Sequence, residues 1–190
     1  MSALPEMDGV LASAAPVIVP RIETARLVLR GFREDDLDAL AAFYADEQAA
    51  HYVGGPRGRD DAWRLMAMQV GAWQLRGYGQ FCVADKASDA YLGWCGVSRP
   101  EGWPEPELGY AFAPAAHGRG LATEAARAAR DFAYRTIGLT TLVSYIDPDN
   151  LPSRRLAERL GAVPEGRQID LRGSMVDVWR HPGPAELAGR

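Results

Sequence analysis

The sequence predicts a single α+β domain of mixed α/β character, and three observations predict it. Segments with a two-residue apolar period fill residues 78–112. An alanine-rich helix with one apolar face follows them. That helix lies between two further strands as a strand–helix–strand crossover. The chain's 190 residues suit one domain with a sizeable core, and 47% apolar against 24% charged residues is ordinary for a globular fold.

The elements follow in order. Residues 1–20 carry three prolines, no basic residue and no period, so a disordered tail is expected to about Val17, with Val17-Ile18-Val19 along an edge. The segment lacks the positive start of a signal or transit peptide. The domain is expected over 21–183, with 184–190 as a short C-terminal tail. Ile22 to Arg30 alternates and reads as a strand. Glu34, Asp35 and Asp36 place acid in a first helical turn, where the macrodipole favours it; Leu37, Leu40, Ala41 and Tyr44 continue that helix at i, i+3, i+4, i+7. After a Gly/Pro loop, Asp60 is expected to cap a second helix whose Trp63, Met66, Ala67 and Val70 form a core stripe. Tyr78 to Asp85 and Tyr91 to Ser98 read as a hairpin around a turn-rich Asp85–Ala90. Leu108, Tyr110 and Phe112 alternate in a third strand that stops at Pro114.

The next helix carries Ala122, Ala125, Ala126, Ala129, Phe132 and Ala133 on one face, with Glu124, Arg127, Arg130, Asp131 and Arg135 on the other. Alanine on the buried face lets a helix lie close to a sheet. Thr140 to Ile146 reads as a strand. Asn150 caps a short helix containing Leu156 and Leu160, and Gly161 supplies its left-handed C-terminal residue. Met175 to Trp179 is a last strand.

Chemistry concentrates at His117-Gly118-Arg119-Gly120-Leu121-Ala122-Thr123, between the third strand and the alanine-rich helix. Glycines let a ligand approach the backbone. The first amides of a helix have no internal partner and sit at its positive end, which suits phosphate or pyrophosphate. A plain glycine-rich turn before a helix is the alternative. A Walker A loop needs Gly-Lys-Ser/Thr, which is absent; the dinucleotide fingerprint needs a third glycine where Thr123 stands.

The segment resembles the pyrophosphate loop of the GNAT superfamily of N-acetyltransferases, Gln/Arg-x-x-Gly-x-Gly/Ala, in His117-x-x-Gly120-x-Ala122, with His for Gln or Arg at the first position. Glu107 to Pro114 resembles the strand that leads into that loop. Asn150-Leu151-Pro152-Ser153, then Arg159-Leu160-Gly161-Ala162, resembles the family's next segment. Glu23 to Arg30 and Arg33 to Asp36 resemble the opening of the RimJ/RimL-like branch. The resemblance spans about residues 20–182.

It implies a mainly antiparallel twisted sheet with a V-shaped split between two adjacent parallel strands, flanked by helices. Acetyl-CoA, as co-substrate, would lie in the split. The amides from Gly118 through Arg119, Gly120, Leu121 and Ala122 to Thr123 would hold its pyrophosphate, with His117 beside the phosphates. Backbone at Phe112 and Ala113 would pair with the pantetheine arm, and Asn150 would bond the arm from the opposite strand. A primary amine, on a small molecule or a protein N-terminus, would attack the thioester directly. Because an ammonium is not a nucleophile, a proton acceptor is needed. Glu107 is the candidate, with Glu101 and Glu105 as alternatives. The leaving thiolate needs a proton; the family's usual tyrosine position falls on Ala157, and Ser153 is the nearest hydroxyl. The alternative to an enzyme is an inactive CoA-binding or regulatory module.

His51, Tyr52 and Trp103 are the acceptor-pocket candidates, each with core packing as the plainer role. A net charge of -4 provides no basic footprint for nucleic acid, and no apolar run is long enough for a membrane span. Three His and two Cys show no metal-ligand spacing, so no metal is expected. Cys82 and Cys95 without a secretory signal suit a reducing, cytoplasmic setting. The sequence does not distinguish a monomer from a homodimer.

Overall fold

The structure is a computed structural model and describes residues 18–189. Most of the expected N-terminal tail lies outside the described residues; Val19 packs against the core. Eight strands share one sheet: β1 (Ile22–Glu23), β2 (Leu27–Arg30), β3 (Gln80–Asp85), β4 (Tyr91–Ser98), β5 (Glu107–Phe112), β6 (Val143–Ile146), β7 (Val163–Leu171) and β8 (Ser174–Arg180). Their order is β1-β2-β3-β4-β5-β6-β8-β7, and every pairing is antiparallel except β5 with β6. The mixed, mainly antiparallel sheet expected from the sequence is the observed one.

The helices are α1 (Leu37–Ala45), α2 (Glu47–Ala50), α3 (Arg59–Arg76), α4 (Leu121–Phe132), α5 (Leu151–Arg159) and α6 (Pro184–Ala188). Leu27, Leu29, Phe81, Val83, Cys95, Leu108 and Phe112 meet α4 in the main core. Ala125, Ala126 and Ala129 are at most 1% exposed, so the alanine face seats α4 directly on the sheet. A second core joins α1, α2 and the first half of α3 to Tyr91, Trp94 and Ala111 on the opposite face.

Several local expectations need correction. Ile22–Arg30 is two strands, because Thr24 folds back on Leu27, its backbone N–H donating to the Leu27 carbonyl and its hydroxyl accepting the Leu27 N–H. The strand before α5 starts at Val143, not Thr140. Glu34–Asp36 forms the expected acidic first turn, a 3-10 turn, but Asp36 in it is buried and accepts both Arg30 terminal nitrogens at 2.8 Å. Gly58, not Asp60, occupies the N-cap of α3. Trp63 and Val70 are 47% and 50% exposed; Ala62, Met66 and Trp73 are the buried face. Arg130 is also buried, reaching from α4 to donate to the Leu160 carbonyl at 2.6 Å. β7 was not foreseen: it is an edge strand, exposed over most of its length and interrupted by Pro164 and Gly166, so it has no apolar alternation to read. Residues 184–188, expected as tail, form α6. Among the described residues no helix is long and apolar enough to cross a membrane.

Candidate active site

The parallel strands β5 and β6 pair at one point, Glu107 with Val143. The Val143 N–H donates to the Pro106 carbonyl at 3.1 Å. In a regular parallel ladder the next bond would run from the Tyr145 N–H to the Leu108 carbonyl. Instead the Leu108 carbonyl accepts the Ser144 hydroxyl at 2.7 Å, and the Tyr145 N–H is left on the side of the Glu107 carboxylate, whose pKa it helps to hold down. The Ser144 side chain thus satisfies the carbonyl that the ladder abandons, and beyond it the strands part.

Ladder parity decides which backbone groups line the gap. Ala113 donates its N–H to the Leu92 carbonyl across the Gly93–Phe112 pair, so Phe112, Tyr110 and Leu108 turn their backbone groups away from β4. The Phe112 carbonyl accepts His117 Nε2 at 2.8 Å. The Phe112 N–H and both Tyr110 backbone groups therefore face the gap as a sheet edge. Of the expected pantetheine contacts, the Ala113 N–H is committed to β4 and the Phe112 carbonyl to His117.

At the wide end of the gap, Gly118 and Gly120 adopt φ of +71° and +76°, a region that favours glycine, and Gly120 opens α4. No side chain caps this helix, so the first amides, Leu121 to Thr123, keep their donors aimed outward. Arg26 braces the turn, donating to the Arg119 carbonyl at 2.8 Å and pairing with Glu124 at 2.7 Å. Thr24 also donates to Glu124, at 2.6 Å. Arg159 reaches the Thr123 hydroxyl at 3.3 Å, adding positive charge beside the amides. The uncapped amides, two left-handed glycines and nearby guanidinium fit a pyrophosphate.

Glu107 stands at the apex of the split. Its Oε2 accepts the Trp103 indole Nε1 at 2.8 Å. Burial raises its carboxyl to about 7; the hydrogen bonds from Trp103 and the Tyr145 N–H hold it from going higher. A group poised there exchanges protons readily at neutral pH. The alternatives differ. Glu105 is held below the usual carboxylate range by Arg180 and Arg167, and Glu101 lies almost wholly in solvent with Arg76 3.5 Å away.

On the opposite face of β5, the Tyr110 hydroxyl crosses the gap to α5, 3.2 Å from the Ser153 carbonyl and 3.1 Å from its Oγ. The carbonyl can only accept, so Tyr110 donates to it, and the Ser153 hydroxyl donates to Tyr110 or to a ligand in the gap. Asn150 caps α5, its Oδ1 accepting the Ser153 N–H at 3.1 Å, which leaves its amide hydrogens for other partners. Ala157 is fully buried against Ile146, Ala162 and Trp179, so its side chain faces a core and not the gap.

The acceptor-side residues separate. Tyr52 donates to the Asp149 carbonyl at 3.2 Å, tying the α2–α3 connection to the loop before α5, and the exposed His51 packs edge-on against it at 4.5 Å. Both line a shallow hollow with Glu47 and Gln48. Trp103 lies apart from them, on Glu107. Sequence reasoning missed Tyr110, Ser144 and Arg26 as site residues. Tyr110 looks like one more core position in an alternating strand, and the other two carry no local signal.

The family profile described as the acetyltransferase (GNAT) domain matches residues 26–163. An uncharacterised N-acetyltransferase of Bacillus licheniformis, p20, is 27% identical over 164 residues, covering 82% of this chain and 91% of its own. The crystal structure of an acetyltransferase from Agrobacterium tumefaciens superposes with a TM-score of 0.79 at 32% identity, over 86% of this chain and 95% of the other. A Bordetella pertussis protein assigned to the GNAT family gives 0.72 at 30% identity, over 86% and 99%. With a split parallel pair, an uncapped glycine-led helix and this profile, the chain belongs to the GNAT family and is an N-acetyltransferase.

Proposed function

We propose that the protein transfers the acetyl group of acetyl-CoA to a primary amine by direct attack, with Glu107 as proton acceptor. The carrying observation is the carboxylate at the apex of the split, facing along the same gap as the uncapped amides of α4. Two fold neighbours, each 19% identical, are described as complexes with CoA: a Vibrio cholerae spermidine N-acetyltransferase and RimL. The pyrophosphate would rest on the amides of Leu121 to Thr123, with His117 and Arg119 beside it. The pantetheine arm would add along β5 at Tyr110 and Phe112, with the Asn150 amide on its far side.

Glu107 takes the ammonium proton, directly or through water, and frees the nitrogen lone pair. The new C–N bond forms at the thioester carbon, the C–S bond breaks, and the thiolate takes a proton from the Ser153–Tyr110 pair. The hollow by His51 and Tyr52 suits a small amine or a protein N-terminus. Similarity in the N-terminal strands favours the RimJ/RimL-like branch.

Thermal unfolding with and without acetyl-CoA tests this reading. Saturation at about 100 times the dissociation constant adds about 2.7 kcal/mol, which for a domain of this size is roughly 5–10 °C in Tm. Gly120→Val, which forces a branched side chain into a positive φ, should abolish the shift. No shift at millimolar acetyl-CoA would overturn the reading.

A further inference from the structure

Arg172 is the feature the proposed chemistry leaves unused. It forms the tip of the β7–β8 hairpin with Gly173, at φ of +56° and +85°, the left-handed pair that a two-residue turn demands. Arginine is a poor choice for that first position, where asparagine and glycine are at ease. The turn is pinned by Asp170, whose carboxylate accepts the Gly173 N–H at 2.6 Å. So held, the Arg172 guanidinium lies over the Trp103 ring, 4.9 Å from its centre. Trp103 is the side chain bonded to Glu107. One aromatic ring thus separates a cation from the proposed base.

The charges around the hairpin leave this cation without an anion. Glu105 and Glu165 are each paired with both Arg167 and Arg180. Asp170 serves the turn, and Asp177 accepts the Gln168 side-chain amide at 2.9 Å. Among the described residues no carboxylate forms an ion pair with Arg172. A guanidinium stacked on the ring that bonds Glu107 repels a polycation and attracts an anion.

We propose that Arg172 is a specificity-determining residue that selects acceptors carrying an anionic group close to the reacting amine. The inference rests on the amine-acetylation reading above, and deepens it. An α-amine followed by acidic residues has this chemistry; a polyamine does not. The ring of Trp103 keeps the guanidinium near the base without letting it pair with Glu107.

The test uses the full chain and three peptide amides of equal length, with N-termini Gly-Asp-Glu, Gly-Gln-Asn and Gly-Lys-Arg, followed by CoA thiol release. The acidic peptide should exceed the basic one at least tenfold in kcat/KM at low salt, and the gap should narrow as salt rises. Arg172→Gln should flatten the ratio to under threefold and Arg172→Glu should invert it. The acetyl-CoA-induced Tm shift should stay the same in both variants. An acidic peptide with no advantage, or not acetylated at all, overturns the proposal, as does an order that survives Arg172→Glu. Absence of the acetyl-CoA shift in the unaltered protein overturns the acetyltransferase reading, and this inference with it.

Discussion

The Trp103 indole donates a 2.8 Å hydrogen bond to the Glu107 carboxylate, and the two residues stand only four positions apart at the end of a loop. The Tyr145 backbone N–H of the neighbouring parallel strand also favours the ionised form of this carboxylate. Glu107 is therefore tied to the loop that precedes its own strand. Both donors favour the ionised form, while burial disfavours it more strongly, leaving the group at about 7.

This balance predicts a pH profile. Glu107 works only when deprotonated, so kcat/KM should rise as pH increases through about 7 and level off above it. Glu107→Gln should lower turnover by about 10² or more at neutral pH and remove that limb. A loss under about threefold would take Glu107 out of the base role.

Trp103→Phe keeps an aromatic surface and deletes the donor to Glu107. A hydrogen bond to a charged group is worth about 1.5–3 kcal/mol, or about one to two pH units. Losing it disfavours the carboxylate, so the acid limb should move to higher pH, with acetyl-CoA affinity unaltered. An unmoved limb would show that the indole does not tune the base.

The Tyr110–Ser153 contact predicts a split between two variants. Ser153→Ala removes the hydroxyl proposed to face the thiolate and should lower kcat by about tenfold or more with little change in the KM for acetyl-CoA. Tyr110→Phe leaves that hydroxyl in place and should cost less. Equal activity of the serine variant and the parent would remove Ser153 from the chemistry.

A third contact concerns stability. His181 is buried, and its Nε2 lies 2.9 Å from the Ser144 hydroxyl that donates to the Leu108 carbonyl. The serine proton is committed to the carbonyl, so His181 Nε2 carries the hydrogen of this contact. Burial, with Arg130 and Arg180 adding to it, lowers its pKa from 6.5 to about 3. The unfolded chain thus binds a proton that the folded chain refuses, and stability is lost as pH falls from 6.5 towards 3, by about 1.4 kcal/mol per pH unit. His181→Gln, followed by denaturant unfolding across that range, should flatten the dependence. An unchanged slope would assign the acid sensitivity to other groups.

Much of this architecture was legible along the chain. Alternation marked β3, β4 and β5; the alanine stripe marked α4; Asn150 marked the start of α5 and does cap it. The glycine-led start of α4 stood out because a helix opening and a positive φ are both local properties. His181 shows the opposite case. It stands near the end of the chain, and its partner Ser144 lies 37 positions away.

The sequence by itself determined the mixed sheet, the crossover helix and the place of Glu107 at the start of β5. These follow from periods of two and 3.6 residues, which act over a few neighbours. Tertiary structure alone decided that the split opens after the single Glu107–Val143 pair, that Tyr110 meets Ser153, that Arg172 in the turn after β7 reaches Trp103, and that Glu107 sits near neutrality. Each of those depends on strand register or on burial. Register is set by the closing of long loops, and burial by every element packed around a group, so neither has a signature in adjacent residues.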